Sequence, residues 1–192
     1  MAALSDESLL AGMANGNQDA AATFVRRYQA RVYGLALTVI GVPAVAEEVA
    51  QETFVKVWRH ASTYDARRGR VSTWLLTITR NTAYNQHRTR RRRPQVVGEP
   101  TTEVVSAAER PDAVAERHET GDDLRAALDR LPPAQRDAVV LRHVLDLSSK
   151  ETAEILGWNE NTLKSHLARG LRRLRHELEA ADPSRPLPEE LP

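Results

Sequence analysis

The sequence predicts an all-α protein: two small helical domains joined by a flexible acidic linker, the second containing a helix-turn-helix. Three observations predict this. Apolar residues recur at intervals of three and four, and no long stretch alternates apolar with polar residues as a half-buried strand would. The charge swings from a basic to an acidic segment in mid-chain. Near the C-terminal end, SSKE, a glycine and an asparagine mark the start of one short helix, its stop, and the start of another.

The N-terminal domain, expected over 1–94, opens at Ser5, whose hydroxyl can cap a helix and is followed by the acids Asp6 and Glu7. A long helix follows, in which Phe24, Tyr28, Val32, Leu35 and Val39 form one apolar stripe. Gly41 ends it, and Pro43 suits the first turn of the next helix. That helix carries Val45, Val49, Phe54, Val57, Trp58 and Ala61. A polar loop from Thr63 to Arg70 leads to Ser72, read as the cap of a further helix that packs through Trp74, Leu75 and Ile78.

From Ala66 to Gly98 there is no acidic residue but there are nine arginines, whereas Glu99 to Asp129 holds nine acids and three arginines. The formal net charge of +1 therefore conceals a segment of +9 beside one of −6. Arg80, Tyr84, His87 and Arg91 share one helical face, flanked by Asn81 and Asn85. Basic groups neutralise phosphates, and aromatic rings and amides can stack on or hydrogen-bond exposed bases. The acidic stretch, with Pro100 and Pro111, reads as a linker over 95–120.

The C-terminal domain is expected over 121–180. Leu124, Leu128 and Leu131 restore helical spacing until Pro132 and Pro133 break it. Ser148 and Glu151 have the spacing of a capping box for a helix that ends at Leu156 before Gly157. Asn159 can cap the helix after it. Leu163, Leu167, Leu171, Leu174 and Leu178 form the buried stripe of that last helix. Its other face presents Asn161, Lys164, Ser165, Arg169, Arg172 and Arg173. A short helix, a tight turn and a second helix with a basic outer face describe a DNA-reading helix-turn-helix. Residues early in that helix would reach base edges, and the later arginines the backbone. A tail, 181–192, rich in proline, is expected to be disordered.

Some function classes lack a motif. The chain has no cysteine, no glycine-rich phosphate loop and no nucleophile elbow, and its six histidines show no pair at ligand spacing. No enzyme activity, cofactor or metal is expected. The first residues lack a signal peptide, and no apolar run approaches a membrane span, so a cytoplasmic protein without membrane insertion is expected.

Three segments in order resemble bacterial RNA polymerase sigma factors of the extracytoplasmic-function type. AEEVAQETFVKVW, Ala46 to Trp58, resembles the acidic helix by which these factors grip the polymerase core. STWLLTITRNTAYNQHRTRRRR, Ser72 to Arg93, resembles the helix that opens and reads the −10 element. LDRLPPAQRDAVVLRHVLDLSSKETAEILGWNENTLKSHLARGLRRLR, Leu128 to Arg175, resembles the −35-binding domain. The resemblance implies that Glu47, Glu48, Gln51 and Glu52 face the clamp coiled coil of the largest polymerase subunit. It implies that Asn81, with the loop Ser62 to Thr73, holds a base flipped from the −10 strand, which Arg80, Tyr84 and Arg88 follow. It also implies that Lys164, Ser165 and Arg169 contact the −35 element, although Ala168 and His166 stand where larger or more basic side chains are common. The partners so implied are core RNA polymerase, promoter DNA and an anti-sigma factor. Two rivals remain: a self-sufficient regulator with a LuxR-like C-terminus, and a helical protein-interaction adaptor.

Overall fold

The structure is a computed structural model and describes residues 4–92 and 123–181. The acidic linker and the proline-rich tail lie outside the described residues. Within them the chain is helical, and none of the helices is long and apolar enough to cross a membrane.

Helix α1, Asp6–Ala14, starts as expected, with the Ser5 hydroxyl accepting from the Ser8 amide at 3.1 Å. Asp6 does more than favour the helix dipole. Its carboxylate accepts from Arg27 and from the Tyr28 hydroxyl, both at 2.5 Å, and so fastens α1 to α2, Gln18–Ile40. The Asn17 side chain caps α2, and Gly41, in left-handed backbone with φ 79°, closes it. Pro43 opens α3, Pro43–His60. The last helix of this half, α4, spans Val71–Arg92. Ser72 is therefore the second residue of α4 and not its cap. Val71 is itself buried, so the apolar contact begins the helix two residues earlier than a cap at Ser72 signalled.

The predicted α2 stripe is fully buried: Phe24, Tyr28, Val32, Leu35 and Val39 all face inward. Phe24, Tyr28 and Val32 share one core with Leu9, Leu10, Met13, Val57, Val71 and Leu75 among α1 to α4, while Leu35 and Val39 belong to a second cluster. Each such side chain contributes about 1.5–3 kcal/mol when fully buried. The α4 face is less greasy than the expected Trp74, Leu75 and Ile78. Of those three only Leu75 is fully buried, with Trp74 and Ile78 partly buried against the core, whereas Thr73, Thr79, Thr82 and Ala83 are buried. The Thr79 hydroxyl donates to the Leu75 carbonyl at 3.0 Å, so the helix satisfies its own buried oxygen.

The second half begins with a helical segment, α5, over 123–129. Leu128 and Leu131 are buried and Leu124 is exposed. Pro133 opens α6, Pro133–Val139, which continues into a wider π turn, Val140–Val144, marked by the Leu145 amide donating to the Val140 carbonyl at 2.9 Å. Helices α7, Ser149–Leu156, and α8, Glu160–Ala181, follow.

The two halves meet along an apolar seam. Leu35, Ala36 and Val39 of α2, Ala46 and Val49 of α3 and Leu76 and Ala83 of α4 share one cluster with Ala127, Leu131, Val140, Leu141 and Leu145. The Arg125 guanidinium also donates to the Gly41 carbonyl across it.

Candidate nucleic-acid interface

The basic face of α4 is divided between solvent and a buried partner. Arg80 and Tyr84 converge on Asp137, whose side chain is 3% exposed. Nε and Nη2 of Arg80 donate to Oδ2 of Asp137 at 2.8 and 2.7 Å, and the Tyr84 hydroxyl donates to Oδ1 at 2.7 Å. The guanidinium also lies over the Tyr84 ring, 4.8 Å from its centre. Burial and the neighbouring Asp137 carboxylate push the Tyr84 hydroxyl well above the ordinary tyrosine range, so it donates at every working pH. Asn81 and Asn85 are exposed on the neighbouring face. Arg88 is exposed too, with Nη2 donating to Oδ1 of Asn85 at 2.9 Å. His87 is half-buried, and the Arg91 side chain lies outside the described residues.

The loop before α4 is built by local bonds. Asp65 accepts from the Arg67 amide and guanidinium, which hold its carboxyl below the usual range. The Tyr64 hydroxyl donates to the Gly69 carbonyl at 2.9 Å, and its ring packs 5.6 Å from that of Trp74. Gly69 takes φ 141°, a conformation side chains rarely adopt. The loop thus has a fixed shape beside Asn81's helix and leaves Arg67 and Arg68 exposed.

On α3 the four predicted polar residues lie together. Glu47, Glu48, Gln51 and Glu52 are all exposed, while Val45, Ala46, Val49 and Thr53 face the core. Glu52 pairs with Lys56 at 2.7 Å, and the Lys56 ammonium donates to the Thr82 hydroxyl of α4. Val55 and Trp58 continue the same exposed face.

Helices α7 and α8 form the predicted pair. The Ser148 hydroxyl accepts from the Glu151 amide, and the Glu151 carboxylate accepts from the Ser148 amide, completing the capping box. Bonds from Ser148 and the Arg70 guanidinium hold the Glu151 carboxyl below its usual range against the opposing effect of burial. Gly157 turns the chain in left-handed backbone, and the Asn159 side chain accepts from the Thr162 amide at 2.8 Å to cap α8. Leu163 and Leu174 are buried, with Leu167, Leu171 and Leu178 packed partly behind them. Asn161, Lys164, Ser165, Arg169, Arg172 and Arg173 are all exposed, a continuous polar face on a helix anchored by its opposite side. His166 stacks on Trp158 at 4.7 Å and so is turned toward the interhelical turn.

Two contributors escape a reading of the sequence. Asp137 stands in a short helix with no periodic signal and is recognisable only through its distant partners. Gly170 lies in mid-helix, where a glycine reads as a weakness, yet it is buried against α6. Among the described residues no group of three or more His, Asp or Glu side chains could hold a metal ion.

Residues 24–93 match the family described as Sigma-70 region 2, and residues 121–174 match Sigma-70, region 4. The chain is 34% identical over 180 residues to the ECF RNA polymerase sigma factor SigK of Mycobacterium ulcerans, across 91% of this chain and 94% of that protein. It is 37% identical over 155 residues to the ECF RNA polymerase sigma factor SigE of Mycolicibacterium smegmatis, across 80% of this chain and 60% of that one. Its fold is that of CnrH solved with the cytosolic domain of CnrY, with a TM-score of 0.69 at 23% identity over 91% of this chain and 97% of that chain. It is also that of the sigma factor RpoE solved with the anti-sigma factor NepR from Bartonella quintana, with a TM-score of 0.62 at 24% identity over 81% of this chain and 94% of that one.

Proposed function

The chain belongs to the extracytoplasmic-function family of RNA polymerase sigma factors, and from that premise we propose how its surfaces share the work of transcription initiation. It binds core polymerase and directs it to promoters. The segment 1–94 carries the polymerase and −10 contacts, and 121–180 the −35 contacts.

The acidic face of α3 is the polymerase-binding face, through Glu47, Glu48, Gln51 and Glu52. Their joint exposure, opposite a fully buried face, supports this. Asn81 and the loop 62–73 receive a base flipped from the −10 strand. Arg80, Tyr84 and Arg88 follow its backbone and stack with it. Asn161, Lys164, Ser165, Arg169, Arg172 and Arg173 meet the −35 duplex in its major groove and along its phosphates.

The polymerase supplies the chemistry, so this chain is a specificity factor and not an enzyme. It works in the cytoplasm without entering a membrane. An anti-sigma factor restrains it: RpoE, which shares the fold, is bound to NepR in its structure.

One observation carries the reading most strongly. Six polar and basic residues of α8 are exposed together behind a capped, glycine-turned helix pair, on the same chain as an exposed acidic helix. A gel shift on promoter DNA, with and without core polymerase, tests it. A sigma factor shifts promoter DNA strongly only with core. A self-sufficient regulator shifts it alone, and an adaptor in neither case.

A further inference from the structure

His166 lies early in α8, directly after Lys164 and Ser165, yet helical spacing turns it to the side of the exposed face that those two share. Its neighbours on that side are Thr162, Arg169 and Arg173, at helical spacing before and after it. Arg169 and Arg173 are exposed, and Thr162 and His166 are half-buried. His166 thus stands on the flank of the polar face, between its outward centre and the buried leucines.

Two observations fix the imidazole ring. It stacks on the Trp158 indole, with ring centres 4.7 Å apart and planes 29° apart. Its Nδ1 is buried and has no hydrogen-bond partner. An orphaned buried N–H is rare in folded chains, whereas an acceptor left bare is tolerated more often. The ring therefore carries its proton on Nε2, and Nε2 is its donor. Trp158 is a firm base for the stack. Gly157 turns the chain before it, the Asn159 side chain caps α8 after it, and its own amide donates to the Ala153 carbonyl at 2.9 Å.

When a helix lies in a major groove, its centre faces base edges and its flanks face the phosphate walls. We propose that His166, held by Trp158, donates from Nε2 to a backbone phosphate beside the −35 element, as an uncharged contact among the charged ones of Arg169, Arg172 and Arg173. Trp158 is its positioning residue. The proposal rests on the reading of α8 as the −35 helix. Its consequence lies in salt dependence. An arginine that neutralises a phosphate releases a counterion, whereas a neutral donor fixes the register of the helix without doing so. This corner of the interface keeps its hold at ionic strengths that weaken the arginines.

The test uses holoenzyme and a duplex promoter fragment that it transcribes, read by filter binding across a salt series. Circular dichroism first shows each variant chain folded. His166→Phe keeps a ring on Trp158 and removes the donor. It should weaken binding about fivefold, the scale of one hydrogen bond, and leave the salt slope unchanged. His166→Arg should steepen the slope by about one unit, because its charge meets the same phosphate. Trp158→Leu should match the loss seen with His166→Phe, and the two together should lose no more than either alone. Unaltered binding by His166→Phe, or an unaltered slope with His166→Arg, overturns the phosphate contact. A slope that falls by about one unit with His166→Phe overturns its neutral character. Additive losses overturn the positioning role of Trp158. A holoenzyme of the unmodified chain that starts at no promoter counts instead against the functional reading.

Discussion

Gly170 of α8 faces Val139 of α6 with no room between them. A methyl group on Gly170 would lie 2.9 Å from Val139 Cγ2 and 3.1 Å from the Gln135 carbonyl oxygen. This close approach sets the distance at which α8 crosses α6. Ordinarily Gly→Ala within a helix gains about 0.5–1 kcal/mol. Here the clash opposes that gain, and overpacking of this kind costs about 1–3 kcal/mol. Gly170→Ala should therefore lower the melting temperature, measured by circular dichroism. A raised melting temperature would show that α6 yields freely.

A second prediction concerns the cap of α7. Ser148→Ala should cost about 1 kcal/mol, because it leaves the Glu151 amide without its acceptor. Glu151 adds a pH dependence whose sign is fixed. Its carboxyl titrates below its ordinary value of 4.5 in the folded chain. The stabilisation is fully present above that value and is lost as pH falls through the lower, folded one. Denaturant titrations of the protein and of Glu151→Gln should thus converge as the solution is acidified below about 4.5. A constant gap down to the acid limit would mean that the carboxylate's charge contributes nothing.

The third prediction tests the α3 face. Glu48 and Gln51 are exposed and make no contact with the core, so replacing both with arginine should leave folding intact. It should reverse the local charge and weaken binding to core polymerase about tenfold or more, as like charges meeting across an interface do. A pull-down with unchanged affinity would move the polymerase contact elsewhere.

The fourth separates base reading from phosphate contact on α8. Lys164→Ala should relax the preference among single-base variants of the −35 element by about 1–3 kcal/mol at one position. Arg172→Ala with Arg173→Ala should weaken all variants equally and reduce the salt slope by about one unit for each lost phosphate contact. Filter binding across a salt series reads both. A uniform loss on Lys164→Ala would assign that residue to the backbone.

Much of this was legible in the sequence, for identifiable reasons. The α2 stripe, the Ser148–Glu151 box, Gly157 and the Asn159 cap are local signals, each expressed within a turn or two, and each is present in the structure. The exposure of the acidic α3 face and of the basic α8 face follows from periodicity alone. Ser72 misled because Val71, beside it, gained more by burial than the hydroxyl gained by capping. Buried Thr79 and Thr82 were invisible because threonine reads as polar until a partner satisfies it, the Leu75 carbonyl of the same helix for Thr79 and the Lys56 ammonium of α3 for Thr82. Asp137 was hidden more deeply. Arg80 lies 57 residues before it, and only the packing of the two halves brings them together.

The central claim is that this one chain recruits polymerase and chooses promoters. Run-off transcription with purified core polymerase on a library of genomic fragments tests it most directly. Starts that appear only when the chain is added, and that share a −10 and a −35 sequence at one spacing, are the predicted result. Starts identical with and without the chain, or upstream sequences with no common element, would contradict it.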